Sequence, residues 1–212
     1  MSRQLREQLI EFAIAMNVSG INRGTSGNLS VRSGGGFLIT PSGLNYSELT
    51  PADIVEMNFD GEWEGSNIPS SEWRIHRDVY RERKDARAIL HAHPVNCTTL
   101  ACLRKSIPAF HYMVAVAGGK DIRCANYATF GTQALSDNVL TALIGRKACL
   151  MANHGLVCLG HDLPRALVLA IEIEQLAQAY HQCLTVGEPV ILDDAEMATV
   201  LEKFSSYGRQ NR

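Results

Sequence analysis

The tripeptide His91-Ala92-His93, at the end of the apolar run Ala88-Ile89-Leu90, constrains this chain more tightly than any other feature. An extended backbone rises about 3.3 Å per residue and turns alternate side chains to one face. Residues 91 and 93 therefore present two imidazoles side by side, about 6.6 Å apart along the backbone, close enough to converge on one ion. Asn153-His154-Gly155 brings a third imidazole to the end of a second apolar run, Ala148-Cys149-Leu150-Met151-Ala152. Three neutral imidazoles at strand ends suit Zn²⁺ and leave a fourth position open, the arrangement of a catalytic metal site. Of the other histidines, His161 falls in a Gly160-His161-Asp162 turn and His181 late in a helix, and both read as structural or solvated.

The remaining chemistry fits an ordinary globular enzyme. At 212 residues the chain reads as one domain, 1–212, long enough to bury about 70% of its unfolded surface. A net charge of −2 gives no reason to expect a nucleic acid or a membrane surface as partner. The start has no apolar stretch of signal-peptide type, and no 18-residue apolar span occurs. Six cysteines form no Cys-x-x-Cys pair and lie mostly in apolar runs, so reduced thiols in a cytoplasmic protein are expected.

Periodicity outlines the elements. Leu5, Leu9, Phe12, Ala13 and Met16 predict a helix over 3–17. Strands over 29–32 and 37–40 flank the hairpin signal Ser33-Gly34-Gly35-Gly36, and a further strand over 54–59 ends at the Asp60-Gly61 turn. A helix with serine caps and an acidic first turn opens at 70–73 and runs to about 84. Buried strands are expected over 88–93 and 148–153, and helices over 95–104, 133–143, 164–184 and 194–204. Strands and helices interleave without a strict βαβ rhythm. The expected fold is α/β, with helices packed on a mixed, partly antiparallel sheet.

Glu72 shares a helical face with Ile75, His76 and Val79, so its carboxylate turns inward from the first helical turn. An inward carboxylate is costly unless it is paired or bound to metal. It could instead cap its own helix; with three histidines in need of a fourth partner, a metal-linked acid/base is favoured. Gly27-Asn28, Ser42-Gly43 and Ser70-Ser71 offer backbone N–H groups and hydroxyls in turns or at a helix start, suitable for an anion. Turns and caps use the same residues for structural reasons.

The segments Gly-Thr-Ser-Gly-Asn (24–28), Ile-Thr-Pro-Ser-Gly (39–43), Pro-Ser-Ser-Glu-Trp (69–73), His-Ala-His (91–93) and Asn-His-Gly (153–155) resemble, in order and spacing, the class II aldolase/adducin family. The segments 106–113, 117–119, 127–132 and the tail 201–208 narrow the resemblance to its bacterial sugar-phosphate aldolases. This resemblance implies a three-layer α/β/α subunit and a homotetramer with active sites between subunits. It implies one Zn²⁺ per subunit on His91, His93 and His154, with Glu72 a resting ligand that moves off to act as acid/base. It assigns phosphate binding to Gly27, Asn28, Ser42, Gly43, Ser70 and Ser71. Tyr112 falls on the position that handles the aldehyde oxygen, and Phe130, Phe204 and Tyr207 on the aldehyde pocket.

The implied reaction is reversible aldol cleavage of L-fuculose 1-phosphate to dihydroxyacetone phosphate and L-lactaldehyde, without a Schiff-base lysine. A pentulose-phosphate 4-epimerase of the same fold is the alternative within enzymes. A metal-free structural module of the adducin type is the alternative from another class, and it would be expected to lack several of the four ligands that this chain retains.

Overall fold

The computed structural model describes residues 2–206, so Tyr207 of the expected aldehyde pocket lies outside the described residues. Eight strands form one sheet in the order β4-β3-β2-β1-β5-β8-β7-β6. They are β1 (Asn28–Ser33), β2 (Gly36–Ile39), β3 (Val55–Asn58), β4 (Trp63–Glu64), β5 (Ala88–Ala92), β6 (Cys124–Ala125), β7 (Ala148–Met151) and β8 (Gly155–Gly160). Only β6 and β7 pair in parallel; every other neighbouring pair is antiparallel.

Strand alternation sorts two cores. Leu29, Val31, Leu38, Ala88, Leu90, Ala148, Leu150, Leu156 and Cys158 face one side of the sheet. There they pack with α1 (Ser2–Val18), α3 (Val95–Cys102) and α5 (Leu163–Val186). Phe37, Ile39, Ile89, Cys149, Met151, Val157 and Leu159 face the other side, covered by α2 (Trp73–Glu82) and α4 (Gln133–Ala142). Helices on both faces of a mixed sheet make the expected α/β/α layering, and they explain why the central strands read as unbroken apolar runs. A last helix, α6 (Asp194–Ser206), packs Met197 and Val200 on Ala109 and Ala115. Among the described residues, no helix is long and apolar enough to cross a membrane.

The structure corrects three local expectations. The strand expected over 148–153 stops at Met151, and the apolar segment after His154 forms a separate strand, β8. His154 therefore sits in the tight turn between β7 and β8, where Asn153 takes a left-handed φ of 54°, a conformation that asparagine tolerates better than most residues. The helix expected to begin with serine caps begins instead at Trp73; Glu72 is its N-cap, with no side-chain cap hydrogen bond, and no acidic residue follows in the first turn.

Candidate active site

Three elements deliver the cluster. On β5, His91 follows Ile89 onto the face covered by α2 and is fully buried. His93 lies two residues further on. The β7–β8 turn brings His154 to the same point, and the three imidazole centroids lie 4.7 to 4.9 Å apart. Gly155 makes this convergence possible, because a Cβ there would lie 2.4 Å from the Ala92 carbonyl oxygen and 2.7 Å from His93 Cδ2. From α2, the buried Glu72 carboxylate places Oε2 2.8 Å from His91 Nε2 and Oε1 3.3 Å from His154 Nε2. One ligand atom from each of Glu72, His91, His93 and His154 lies within 4.8 Å of all the others.

The donor set fits a cation. His91 Nδ1–H donates to the Leu156 carbonyl at 2.9 Å, so once a cation displaces its second proton the ring turns a bare Nε2 lone pair inward. That lone pair meets His93 Nε2 at 2.9 Å and a carboxylate oxygen at 2.8 Å. Glu72 Oε1 is buried without a hydrogen-bond partner. Lone pairs crowded this closely repel unless a positive charge lies between them, and imidazole nitrogens with a carboxylate oxygen are ligands suited to a divalent metal ion.

Electrostatics agree. Burial opposes the Glu72 charge, but His91, His154 and the Asn28 amide outweigh it and hold the carboxyl at about 2. Burial and the charge of His91 push His93 and His154 down to about 4, so both rings are neutral and able to ligate near pH 7. His91 shifts upward despite its burial, because the Glu72 carboxylate faces it.

The loops expected from the sequence to hold an anion lie beside this cluster. Ser42 N–H donates to the Ile68 carbonyl and Ser70 N–H to the Thr40 carbonyl, which ties the Ser42-Gly43 and Ser70-Ser71 loops together. Gly27 is required sterically, since a Cβ would lie 2.7 Å from the His91 carbonyl oxygen. A cavity of about 270 Å³ opens over the site, lined by Ser26, Ser71, Glu72, His93, Tyr127, Phe130 and His154 among others. Of these, Ser26 and Tyr127 are not among the site residues read from the sequence; their places beside Gly27-Asn28 and near Phe130 are the available signal.

Asn28 behaves differently from the other loop residues. Its side chain is buried, donating through Nδ2 to Glu72 Oε2 at 3.3 Å and facing His76 Nε2 through Oδ1 at 2.6 Å. Its amide thus serves the carboxylate. His76 itself was missed as a site residue; its place on the Glu72 face of α2 was the available signal.

Tyr112 and Phe204 do not join the cavity of their own chain. They lie against each other, ring centroids 6.5 Å apart, and Phe204 lines a separate cavity with Met113, His161 and Val168. Tyr112 is 51% exposed at the start of a short 3-10 helix, so it is no core tyrosine.

Comparison with known proteins gives the same answer. The sequence profile of the Class II Aldolase and Adducin N-terminal domain matches residues 7–181. A 5-methylthioribulose-1-phosphate/5-deoxyribulose-1-phosphate aldolase of Rhodospirillum rubrum is 54% identical over 204 residues, 96% of this chain and 92% of that protein. An L-fuculose phosphate aldolase of Escherichia coli is 49% identical over 206 residues, 97% of this chain and 96% of that protein. A solved L-fuculose 1-phosphate aldolase superposes with a TM-score of 0.93 at 43% identity, covering 97% of this chain and 98% of its own. With Glu72, His91, His93 and His154 converging as a group that could hold a metal ion, and the family profile spanning residues 7–181, the chain belongs to the class II aldolase and adducin family.

Proposed function

We propose that this enzyme catalyses the reversible aldol cleavage of L-fuculose 1-phosphate to dihydroxyacetone phosphate and L-lactaldehyde, using one Zn²⁺ per subunit. The observation that carries this reading is the convergence of Glu72, His91, His93 and His154 beside a cavity whose rim includes Ser26 and Ser71. A divalent ion bound there supplies Lewis-acid polarisation of a ketose carbonyl, worth several kcal/mol.

The protein's own groups supply binding and proton transfer. Gly27, Asn28, Ser42, Gly43, Ser70 and Ser71 form the phosphate site: Ser42, Ser70 and Ser71 offer hydroxyls, Gly27, Gly43 and Ser71 backbone N–H groups, and Asn28 anchors the first loop, assisted by the positive end of α2. As the C3–C4 bond breaks, the proton of the C4 hydroxyl passes to Tyr112 as phenolate and its oxygen becomes the aldehyde; C3 takes a proton from the carboxylic acid form of Glu72, and return of the Tyr112 proton to Glu72 through water restores both groups. Phe130, with Phe204 and Tyr207, shapes the aldehyde pocket and excludes water from it. Because Tyr112 and Phe204 lie away from the cavity of their own chain, they serve the site of a neighbouring copy, in a homotetramer. All six cysteines are free thiols, which supports a reducing compartment, the cytoplasm.

A second reading concerns only the aldehyde half. The Rhodospirillum rubrum relative is named for 5-methylthioribulose 1-phosphate and 5-deoxyribulose 1-phosphate, and the exposed rings of Tyr127 and Phe130 offer apolar surface that an alkyl or alkylthio group would cover. Side-by-side cleavage assays on L-fuculose 1-phosphate, 5-methylthioribulose 1-phosphate, L-rhamnulose 1-phosphate and L-ribulose 5-phosphate decide among them. The highest kcat/KM is expected on L-fuculose 1-phosphate, with all activity lost on chelation. A higher value on the methylthio sugar transfers the assignment to it. Epimerisation of the pentulose without release of a triose phosphate would overturn both.

A further inference from the structure

A ladder of buried polar side chains runs beneath the cluster, contributed alternately by β1 and α2. Residues two apart on a strand stand about 6.6 Å apart, and residues four apart on a helix about 6.0 Å, so the two series stay nearly in step over two repeats. Here Glu72, His76 and Tyr80 on α2 interleave with Asn28 and Ser30 on β1. All five are buried. Tyr80 Oη lies 2.8 Å from Ser30 Oγ, Ser30 Oγ 2.6 Å from His76 Nδ1, His76 Nε2 2.6 Å from Asn28 Oδ1, and Asn28 Nδ2 3.3 Å from Glu72 Oε2.

Donor and acceptor chemistry gives this ladder one direction. An ionised carboxylate only accepts, so Asn28 must turn its NH₂ to Glu72 and its carbonyl oxygen to His76. That oxygen requires a proton on His76 Nε2. Full burial and the charge of His91 push His76 down to about 3, so the ring is neutral and its Nδ1 is an acceptor for the Ser30 hydroxyl. Ser30 in turn accepts from Tyr80. At the far end Arg32 fixes Tyr80, with Nη2 donating to the Tyr80 carbonyl at 2.6 Å and Cζ 4.8 Å from the ring centre.

We propose that His76 is a positioning residue for Glu72: its Nε2–H tautomer, selected by Ser30 and Tyr80, sets the Asn28 amide so that an N–H and not a carbonyl faces the Glu72 carboxylate. The opposite tautomer would reverse the amide and bring its oxygen against the carboxylate. The inference rests on the acid/base role given to Glu72 above, and it explains why histidine, serine and tyrosine occupy a helix–sheet interface that apolar residues would fill more simply.

The test combines one spectroscopic and two functional readouts on the full-length protein. In metal-free, ¹⁵N-histidine-labelled wild type, the His76 ring should show a protonated Nε2 and an unprotonated Nδ1; the reverse assignment overturns the proposal. His76→Leu keeps the bulk and removes both nitrogens. It should bind Zn²⁺ about 10- to 100-fold more weakly in a chelator competition, the scale seen when a ligand's supporting partner is lost. It should also lower kcat for proton exchange at C3 of dihydroxyacetone phosphate about tenfold or more, with KM within about twofold. His76→Gln, whose side-chain N–H₂ can stand where Nε2–H stood, should recover most of both losses. Wild-type zinc affinity and kcat in the leucine variant, or no recovery in a folded glutamine variant, would sink the idea. If His76→Leu does not fold, Ser30→Ala carries the test, since it frees the tautomer while leaving the ring in place; unchanged ring signals and zinc affinity there would overturn the proposal. The zinc and ring-nitrogen readouts need no substrate, so a wild type that cleaves none of the sugars fails the functional reading and not this one.

Discussion

Asn28 on β1 lies directly across the sheet from His91 on β5. This single cross-strand pair fixes both an imidazole of the cluster and the amide that holds the opposing carboxylate. Slipping the β1–β5 register by one residue would set Asn28 opposite Leu90 or Ala92 and leave Asn28 and His91 on opposite faces of the sheet, so the ladder that orders the core also assembles the site. Gly27, at the entrance to this register, allows the two backbones to approach.

Glu72→Gln separates binding from proton transfer. The amide keeps the shape, and three imidazoles remain, so most of the zinc should stay on a folded protein. Turnover should fall about 10²-fold or more, the scale of general acid–base loss. Proton exchange into dihydroxyacetone phosphate is the direct measurement, and a near-wild-type rate would remove Glu72 as the base.

Gly155→Ala tests the steric argument at the head of β8. The new methyl meets the Ala92 carbonyl and the His93 ring, neither of which can retreat without moving β5. Overpacking of this kind typically costs about 1–3 kcal/mol. A lowered midpoint in urea together with weakened zinc retention by elemental analysis is expected. Stability and zinc content both equal to wild type would show that β8 can shift freely.

Much of this site was legible in the sequence, for identifiable reasons. His91-Ala92-His93 could be read because strand alternation is local, and Glu72 because its neighbours Ile75 and Val79 declare the buried face of one helix. The strand β8 could not be separated from β7 by pattern, since strands buried on both faces lose their alternation and the residues 148–159 read as one apolar stretch broken at 153–155. The contacts of His76 with Asn28 and Ser30 were hidden for another reason. They join residues 46 and 48 positions apart, and only the packing of α2 on β1 creates them. The serine caps failed because Ser70-Ser71-Glu72 carries the composition of a cap, whereas the nearby imidazoles draw the Glu72 carboxylate away from its helix.

The same buried groups predict an acid-side loss of stability in the metal-free protein. His76, His93 and His154 have folded pKa values below 6.5, so the unfolded chain binds protons there that the native state does not. Their contribution is complete above about pH 6.5 and is lost progressively as the pH falls towards 4 and, for His76, towards 3. Glu72, lowered from 4.5 to about 2, adds loss in the same direction below pH 4.5. His91, shifted upward, acts in the opposite sense as the pH rises past 6.5. Melting temperatures taken in chelator should therefore fall between pH 6.5 and 4, and more gently in His76→Leu. A profile as steep in that variant as in wild type would exclude His76 as a source of the slope.

Tyr112→Phe separates proton transfer at oxygen from proton transfer at carbon. The hydroxyl belongs to a half-exposed ring tilted against Phe204, outside the cavity over the Glu72–histidine cluster of its own chain. Removing it should leave the melting temperature of the subunit within about a degree, because surface changes away from special features are usually within about 0.5 kcal/mol. Cleavage should fall sharply, since the C4 hydroxyl loses its base, whereas exchange at C3 of dihydroxyacetone phosphate, which needs the metal and Glu72, should persist. Mixing this variant with Glu72→Gln subunits under conditions that reassort oligomers adds a decisive arm. If Tyr112 serves a neighbouring copy, mixed assemblies contain some sites with both a native Glu72 and a native Tyr112, and cleavage should reappear although each parent is impaired. A mixture no more active than its parents would confine Tyr112 to its own chain, and equal loss of cleavage and exchange in the single variant would end its assignment to the aldehyde oxygen.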